Sequence, residues 1–141
     1  MRLTTALACV LLCGCATTGP VGANSPAATS PVYQPPVGSN LVLEGHIDAA
    51  PGHHLVMGDL VATPGMVIPR HTHSGEEFLY VIGGTGTLSM EGEADVQLAA
   101  GKGVRIPAGA VHGGVAGEDG LRAVSTWIVV NGQPLRTAAP E

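Results

Sequence analysis

The stretch from Gly65 to His112 constrains this chain most. It reads GMVIPRHTHSGEEFLYVIGG, then sixteen residues (Thr85–Ala100), then GKGVRIPAGAVH. His71 and His73 are two apart, and on a strand residues i and i+2 point to the same face. Their imidazoles therefore project together, roughly 7 Å apart along a strand that rises ~3.3 Å per residue. Ser74-Gly75 is a turn signal. The apolar and aromatic run Glu77–Ile82 reads as the next strand, ended by Gly83-Gly84. Two acids compete for a place beside the histidines. Alternation puts Glu77 on the face of Leu79 and Val81, and Glu76 on the other. By the same rule Arg70 alternates away from His71 and reads as a surface charge. His112 follows the turn Pro107-Ala108-Gly109-Ala110-Val111 into a new strand.

A lone histidine is more often a core or surface residue than a ligand. Three imidazoles and a carboxylate at this spacing point instead to one divalent ion, from Mn, Fe, Co, Ni, Cu or Zn. Four protein ligands on one side of the ion leave positions open for water, O₂ or a substrate oxygen, which a catalytic site needs and a closed structural site lacks.

These residues resemble the two motifs of the cupin superfamily. The first, G(X)5HXH(X)3–4E(X)6G, is met by Gly65, His71, His73, Glu77 and Gly84. The second, G(X)5PXG(X)2H(X)3N, is met by Gly101, Pro107, Gly109 and His112, with Ala116 standing where the family often has Asn. The resemblance implies an all-β fold, a double-stranded β-helix (the cupin or jelly-roll barrel). It also implies that His71, His73, Glu77 and His112 are the metal ligands; the Asn is not one of them. Activity is not implied, because one barrel hosts many functions.

The rest of the chain agrees with a β-rich, turn-rich domain. Only 12% of the 141 residues are charged, while Gly (21) and Pro (11) are abundant. A net charge of −5 and no Lys/Arg cluster argue against a nucleic-acid partner, and 3% aromatic content offers bases no stacking platform.

Residues 1–15, MRLTTALACVLLCGC, read as a secretory signal: Arg2, then an apolar run too short to span a membrane. Leu12-Cys13-Gly14-Cys15 resembles a bacterial lipobox, with cleavage before Cys15 and lipidation of its thiol. The alternative is an ordinary signal cut near Ala16, giving a soluble secreted protein. Under the lipobox reading Cys9 and Cys13 leave with the signal, and no thiol remains for disulfides, metal or nucleophilic catalysis. The protein is then expected in the bacterial cell envelope, lipid-anchored on the periplasmic side. A single arginine before the apolar run does not suggest the twin-arginine route, so metal is expected to enter after export.

Residues 16–40 hold five prolines and no charge, and read as a tether. Strands are expected over 41–130: 41–47, 55–62, 66–69, 77–82, 85–90, 94–98, 102–106, 111–115 and 121–130. Residues 131–141 read as a trailing arm that is partly disordered. His46, His53 and His54 read as ordinary surface residues. The last strand is apolar on both faces, which implies burial of both. One face would line the barrel, where Met57, Met66, Leu79 and Trp127 are the expected cavity wall; the other would meet a second subunit or sheet, making a homodimer a candidate partner arrangement.

Function divides into two readings. One is a metal-dependent enzyme, such as a dioxygenase, isomerase or decarboxylase, with Glu77 or metal-bound water doing any acid–base work. The other is a non-catalytic, lipid-anchored protein that binds metal or a small molecule.

Overall fold

In a computed structural model the chain is described over residues 32–140. The signal, Cys15 and the first part of the tether lie outside those residues. Eight strands follow in order: β1 (Gly38–His46), β2 (His53–Ala62), β3 (Val67–Thr72), β4 (Glu77–Met90), β5 (Val96–Ala99), β6 (Gly103–Ile106), β7 (His112–Val130) and β8 (Thr137–Ala138). There is no helix among the described residues, and every strand pairing is antiparallel. The order β1-β2-β7-β3-β8, with β4 joined to β5, β6 and β7, is a double-stranded β-helix.

Two expected pairs of short strands are each one long strand. β4 runs straight through Gly83-Gly84, and β7 through the Gly117–Gly120 region. The breaks are bulges instead of turns: the β4–β7 register shifts between Val81 and Gly83 and again between Gly84 and Gly86. A bulge bends a strand without ending it. Gly84 sits at φ 72°, and a Cβ there would lie 2.1 Å from the Gly120 carbonyl oxygen, so only glycine lets the two strands approach at this corner. The length of β7 gives it three partners, β2, β3 and β4, so one strand carries both sides of the barrel.

Alternation along β7 buries Leu121, Ala123, Ser125, Trp127 and Val129, while the opposite face is half-buried beside exposed Phe78 and Tyr80. Expectation and structure differ here: one face of the strand is buried, not both. The main core joins Leu79, Val81, Leu88, Leu98, Ile106, Leu121 and Ala123; a second, smaller one joins Val56, Trp127 and Val129.

The segment after β7 corrects the expectation of a trailing arm. It turns at Gly132, and β8 pairs with β3, placing Ala138 opposite His71 and Thr137 opposite Thr72. Leu135 packs on the Val56–Trp127–Val129 cluster. Contacts of this kind follow no local periodicity, so a sequence pattern does not reveal them. At the other end, β1 begins at Gly38, inside the stretch read as tether.

Candidate metal centre

The four expected ligands are brought together. His71, the penultimate residue of β3, lies directly opposite His112, the first residue of β7. His73 follows one residue past β3, and Glu77 opens β4 opposite Trp127. All four are buried, and one ligand atom from each lies within 4.8 Å of the others. The imidazole centroids are 4.2 Å (His71–His112), 4.8 Å (His71–His73) and 5.2 Å (His73–His112) apart.

The turns between these residues are tied to one another. The Gly109 N–H donates to the His73 carbonyl (2.9 Å), which locks the second motif's turn onto the first motif's ligand loop. Inside that loop the Ile128 N–H donates to the Glu76 carbonyl (3.0 Å) and the Val130 N–H to Ser74 Oγ (3.2 Å).

The protonation of the rings follows from their partners. His71 Nδ1 donates to the Pro69 carbonyl (2.8 Å), His112 Nδ1 to the Ala110 carbonyl (2.9 Å), and His73 Nδ1 to the Leu135 carbonyl. A carbonyl oxygen only accepts, so each Nδ1 carries the proton, and in a neutral ring Nε2 is a bare lone pair. Such outer hydrogen bonds fix tautomer and ring orientation in metal sites. Glu77 Oε2 lies 3.1 Å from His73 Nε2 and 3.2 Å from His112 Nε2. A carboxylate oxygen facing bare imidazole nitrogens is repulsive unless a cation sits among them. A proton on His73 or His112 would relieve that ring's own contact with Glu77 but would leave His71 without a partner: burial pushes its pKa down to about 4, with His112, Arg136 and His73 adding to the effect, so its Nε2 stays a bare lone pair at pH 7. One divalent ion meets all four groups at once. The donor set therefore suggests a divalent metal site, without selecting the metal.

Glu77 remains the anion. Burial alone would raise its pKa, but contacts with His112 and His73, favourable when those nitrogens carry a proton or share a cation, and the Ser125 hydroxyl more than offset burial and hold the carboxyl well below the usual carboxylate range. Ser125 Oγ donates to Glu77 Oε1 at 2.7 Å. Sequence reasoning missed this residue, although it is the one polar side chain on the inward face of β7 between Ala123 and Trp127. Trp127 Nε1–H points at the cluster too, donating to His73 Nε2 (3.1 Å). The rival Glu76 faces out and pairs with Arg105 (2.9 Å), and Arg70 is a surface charge 3.4 Å from Glu91.

The cluster lies in the wall of a cavity of about 410 Å³. Met66, Leu79 and Trp127 line it as expected, together with Leu60, Leu88, Leu98, Ile106 and Leu121. Met57 does not. On β2 it is Val56, Gly58 and Leu60 that face Trp127, Ser125 and Ala123 across β7, so Met57 alternates outward. His46, His53 and His54 stand apart from the cluster; His54 bonds Asn131 Oδ1 (2.9 Å) and lies 3.4 Å from Glu44.

The C-terminal segment is the part of the site with no sequence signal. Leu135 holds His73 through its carbonyl, and Arg136 NH2 donates to the Pro69 carbonyl (2.8 Å), the same oxygen that holds His71. A chain ending at Asn131 is expected to bind zinc roughly 10- to 100-fold more weakly, the usual effect of losing such outer partners. Chelator competition measures this; an unchanged affinity would mean that the carbonyls do not set the rings.

A family profile described as "Cupin domain" matches residues 58–129. Among curated proteins none matches the chain. Solved structures do. A cupin-like protein from Thermotoga maritima is 27% identical at a TM-score of 0.57, over 62% of this chain and 65% of that one. A Klebsiella pneumoniae protein with a double-stranded β-helix domain is 23% identical at 0.56, over 78% of this chain and 91% of that one. Oxalate decarboxylase of Bacillus subtilis, whose Mn(II) centers have been studied, is 18% identical at 0.53, over 67% of this chain and 28% of that one. The chain thus spans less than two thirds of the Thermotoga protein and under a third of the decarboxylase, and at 18% and 23% identity the likeness concerns the fold alone. The profile covers half of the chain and contains all four clustered side chains, and on that ground the chain belongs to the cupin family.

Proposed function

We propose that this protein is a metal-dependent cupin that acts on a small organic molecule, with His71, His73, Glu77 and His112 holding the ion. The observation that carries this reading is the position of the cluster: its Nε2 atoms and carboxylate border an apolar cavity of about 410 Å³, a size suited to a small-molecule ligand. The ion, when bound, would supply Lewis-acid or redox chemistry to a substrate oxygen or to O₂. The chain's own residues would do the rest. Ser125 donates to Glu77 and favours its ionised form, the carbonyls of Pro69, Ala110 and Leu135 hold the rings, and Trp127 offers an N–H beside the site.

One observation favours a second reading, a binding protein without turnover. Among the cavity-lining hydroxyls, Ser125 is committed to Glu77 and Thr87 to Gln97, and neither is paired with a base that would activate it as a nucleophile. Incubating the protein with a panel of small organic substrates under O₂, with Fe, Mn, Ni or Cu added, separates the two. Product formation supports the enzyme; saturable ligand binding with no turnover supports the binder.

Imidazole and carboxylate ligands favour Cu(II) and Zn(II) over Mn(II) and Fe(II) on intrinsic affinity. For a protein that takes up metal outside the cytoplasm, Zn or Cu is therefore expected as isolated, even if the active ion is Fe, Mn or Ni. Elemental analysis of protein purified without chelator checks this, and stoichiometric Mn or Fe would show selective delivery. We place the protein in the cell envelope, anchored by lipid at Cys15. Mass spectrometry of the native protein should show an acylated N-terminal cysteine; a free Ala16 terminus would refute the anchor.

A further inference from the structure

Four arginines lie among the described residues. Three have a carboxylate partner there: Arg70 with Glu91 (3.4 Å), Arg105 with Glu76 (2.9 Å) and Arg122 with Asp59 (2.9 Å). The fourth, Arg136, has none among them. It is also the arginine that lines the metal cavity. Its one hydrogen bond, to the Pro69 carbonyl, shares an acceptor with His71 Nδ1 and so sets the guanidinium next to the metal cluster. A guanidinium has five donors in a planar fork, which leaves most of them free for an incoming oxyanion.

The rest of the lining sharpens the point. Besides Arg136 the only charged side chain there is Glu77, whose oxygens are already taken by His73, His112 and Ser125. Leu60, Met66, Leu88, Leu98, Ile106 and Leu121 make much of the remainder apolar, with the hydroxyls of Ser39 and Thr87 among the uncharged polar groups. With a divalent ion on the four ligands the cavity would carry net positive charge: two from the ion and one from Arg136, less one from Glu77. A cavity with apolar walls and a cationic end selects a molecule built the same way, with an apolar body and an anionic head.

We propose that Arg136, delivered by the C-terminal segment to the mouth of the metal cavity, is the anion-recognising residue, and that the ligand class is a small carboxylic acid with an apolar body. This rests on the metal-centre reading for the site but not on any particular reaction. The Arg136 fork would take one carboxylate edge in two parallel hydrogen bonds, while the hydrocarbon part lies against the leucines and Ile106. Its place on the C-terminal segment makes it a specificity determinant that neither cupin motif contains.

Trp127 is the chain's only tryptophan and it lines the cavity, so its fluorescence reports occupancy directly. The probes are benzoate and its neutral near-isostere benzamide, titrated into full-length protein with and without zinc, with zinc stoichiometry measured separately. Benzoate is expected to bind about tenfold more tightly than benzamide, as a charge-assisted pair provides. Arg136→Gln should lose that preference, and Arg136→Lys should keep part of it; zinc affinity measured on the same variants reports any effect of the lost Pro69 bond, and the zinc-free titration reads the preference independently of it. Equal affinity for the two probes, failure of both to move the Trp127 signal, or a preference that survives Arg136→Gln would overturn the proposal. Failure of the wild type to bind zinc would count against the metal centre instead, because the zinc-free titration still tests the arginine.

Discussion

Replacing His112 with alanine is expected to lower zinc affinity by more than about a hundredfold, above the range found for losing an outer partner alone. His112 offers its Nε2 to the cluster from the start of β7, and no neighbouring side chain can replace it: its sequence neighbours are Val111 and Gly113, and the three other ligands already occupy their own corners. The barrel should stay folded. His112 is not a member of the main core, which is made by Leu79, Val81, Leu88, Leu98, Ile106, Leu121 and Ala123. A domain of this size gains most of its burial from such a core. Zinc titration against a competing chelator, paired with thermal unfolding followed by circular dichroism, measures both effects. Zinc affinity within a few-fold of wild type would remove His112 from the ligand set. Loss of cooperative unfolding in metal-free wild type would show that the ion, not the core, holds the barrel.

Gly75→Ala should strike the fold and the site together. A Cβ on Gly75 would lie 1.6 Å from the Ile128 carbonyl oxygen, a contact no rotamer change relieves because the obstacle is backbone. The loop has little room to move away: the Ile128 N–H is bonded to the Glu76 carbonyl and the Val130 N–H to Ser74 Oγ. The expected loss of stability is about 3 kcal/mol, the upper part of the range for overpacking. His73 and Glu77 flank this loop, so zinc binding should weaken in the same variant even at temperatures where it remains folded. Urea unfolding and a zinc titration check the two effects. A stability change under ~0.5 kcal/mol, ordinary for a surface substitution, would mean that the loop yields and that its glycine serves no packing purpose.

The local rules that brought these four side chains together are short-range. Spacing of i and i+2 put His71 and His73 together, alternation chose Glu77 over Glu76, and the Pro107–Gly109 turn delivered His112. Met57, expected in the cavity wall, faces away, because a strand's period gives two faces without saying which is inward. That choice is made by the neighbour, and β2 turns Val56 and Gly58 toward Trp127 and Ser125. Gly83-Gly84 and the Gly117–Gly120 stretch looked like strand ends for a related reason. Glycine marks a corner in either case, and whether the corner is a turn or a bulge depends on whether a partner strand continues past it. Here β7 does, along the whole of β4.

What the amino-acid sequence determined by itself was the strand-rich class, the identity of the four converging side chains and the spacing that lets them converge, because each depends on contacts between residues a few positions apart or on turns with strong local signatures. What only the tertiary structure decided was how those ligands are held and what shares their cavity. Ser125 reaches Glu77 across 48 positions, Leu135 reaches His73 across 62, and Arg136 reaches Pro69 across 67. Contacts at such separations arise from strand pairing and register, above all the pairing of β8 with β3, and no periodicity in the segment after Val130 encodes them.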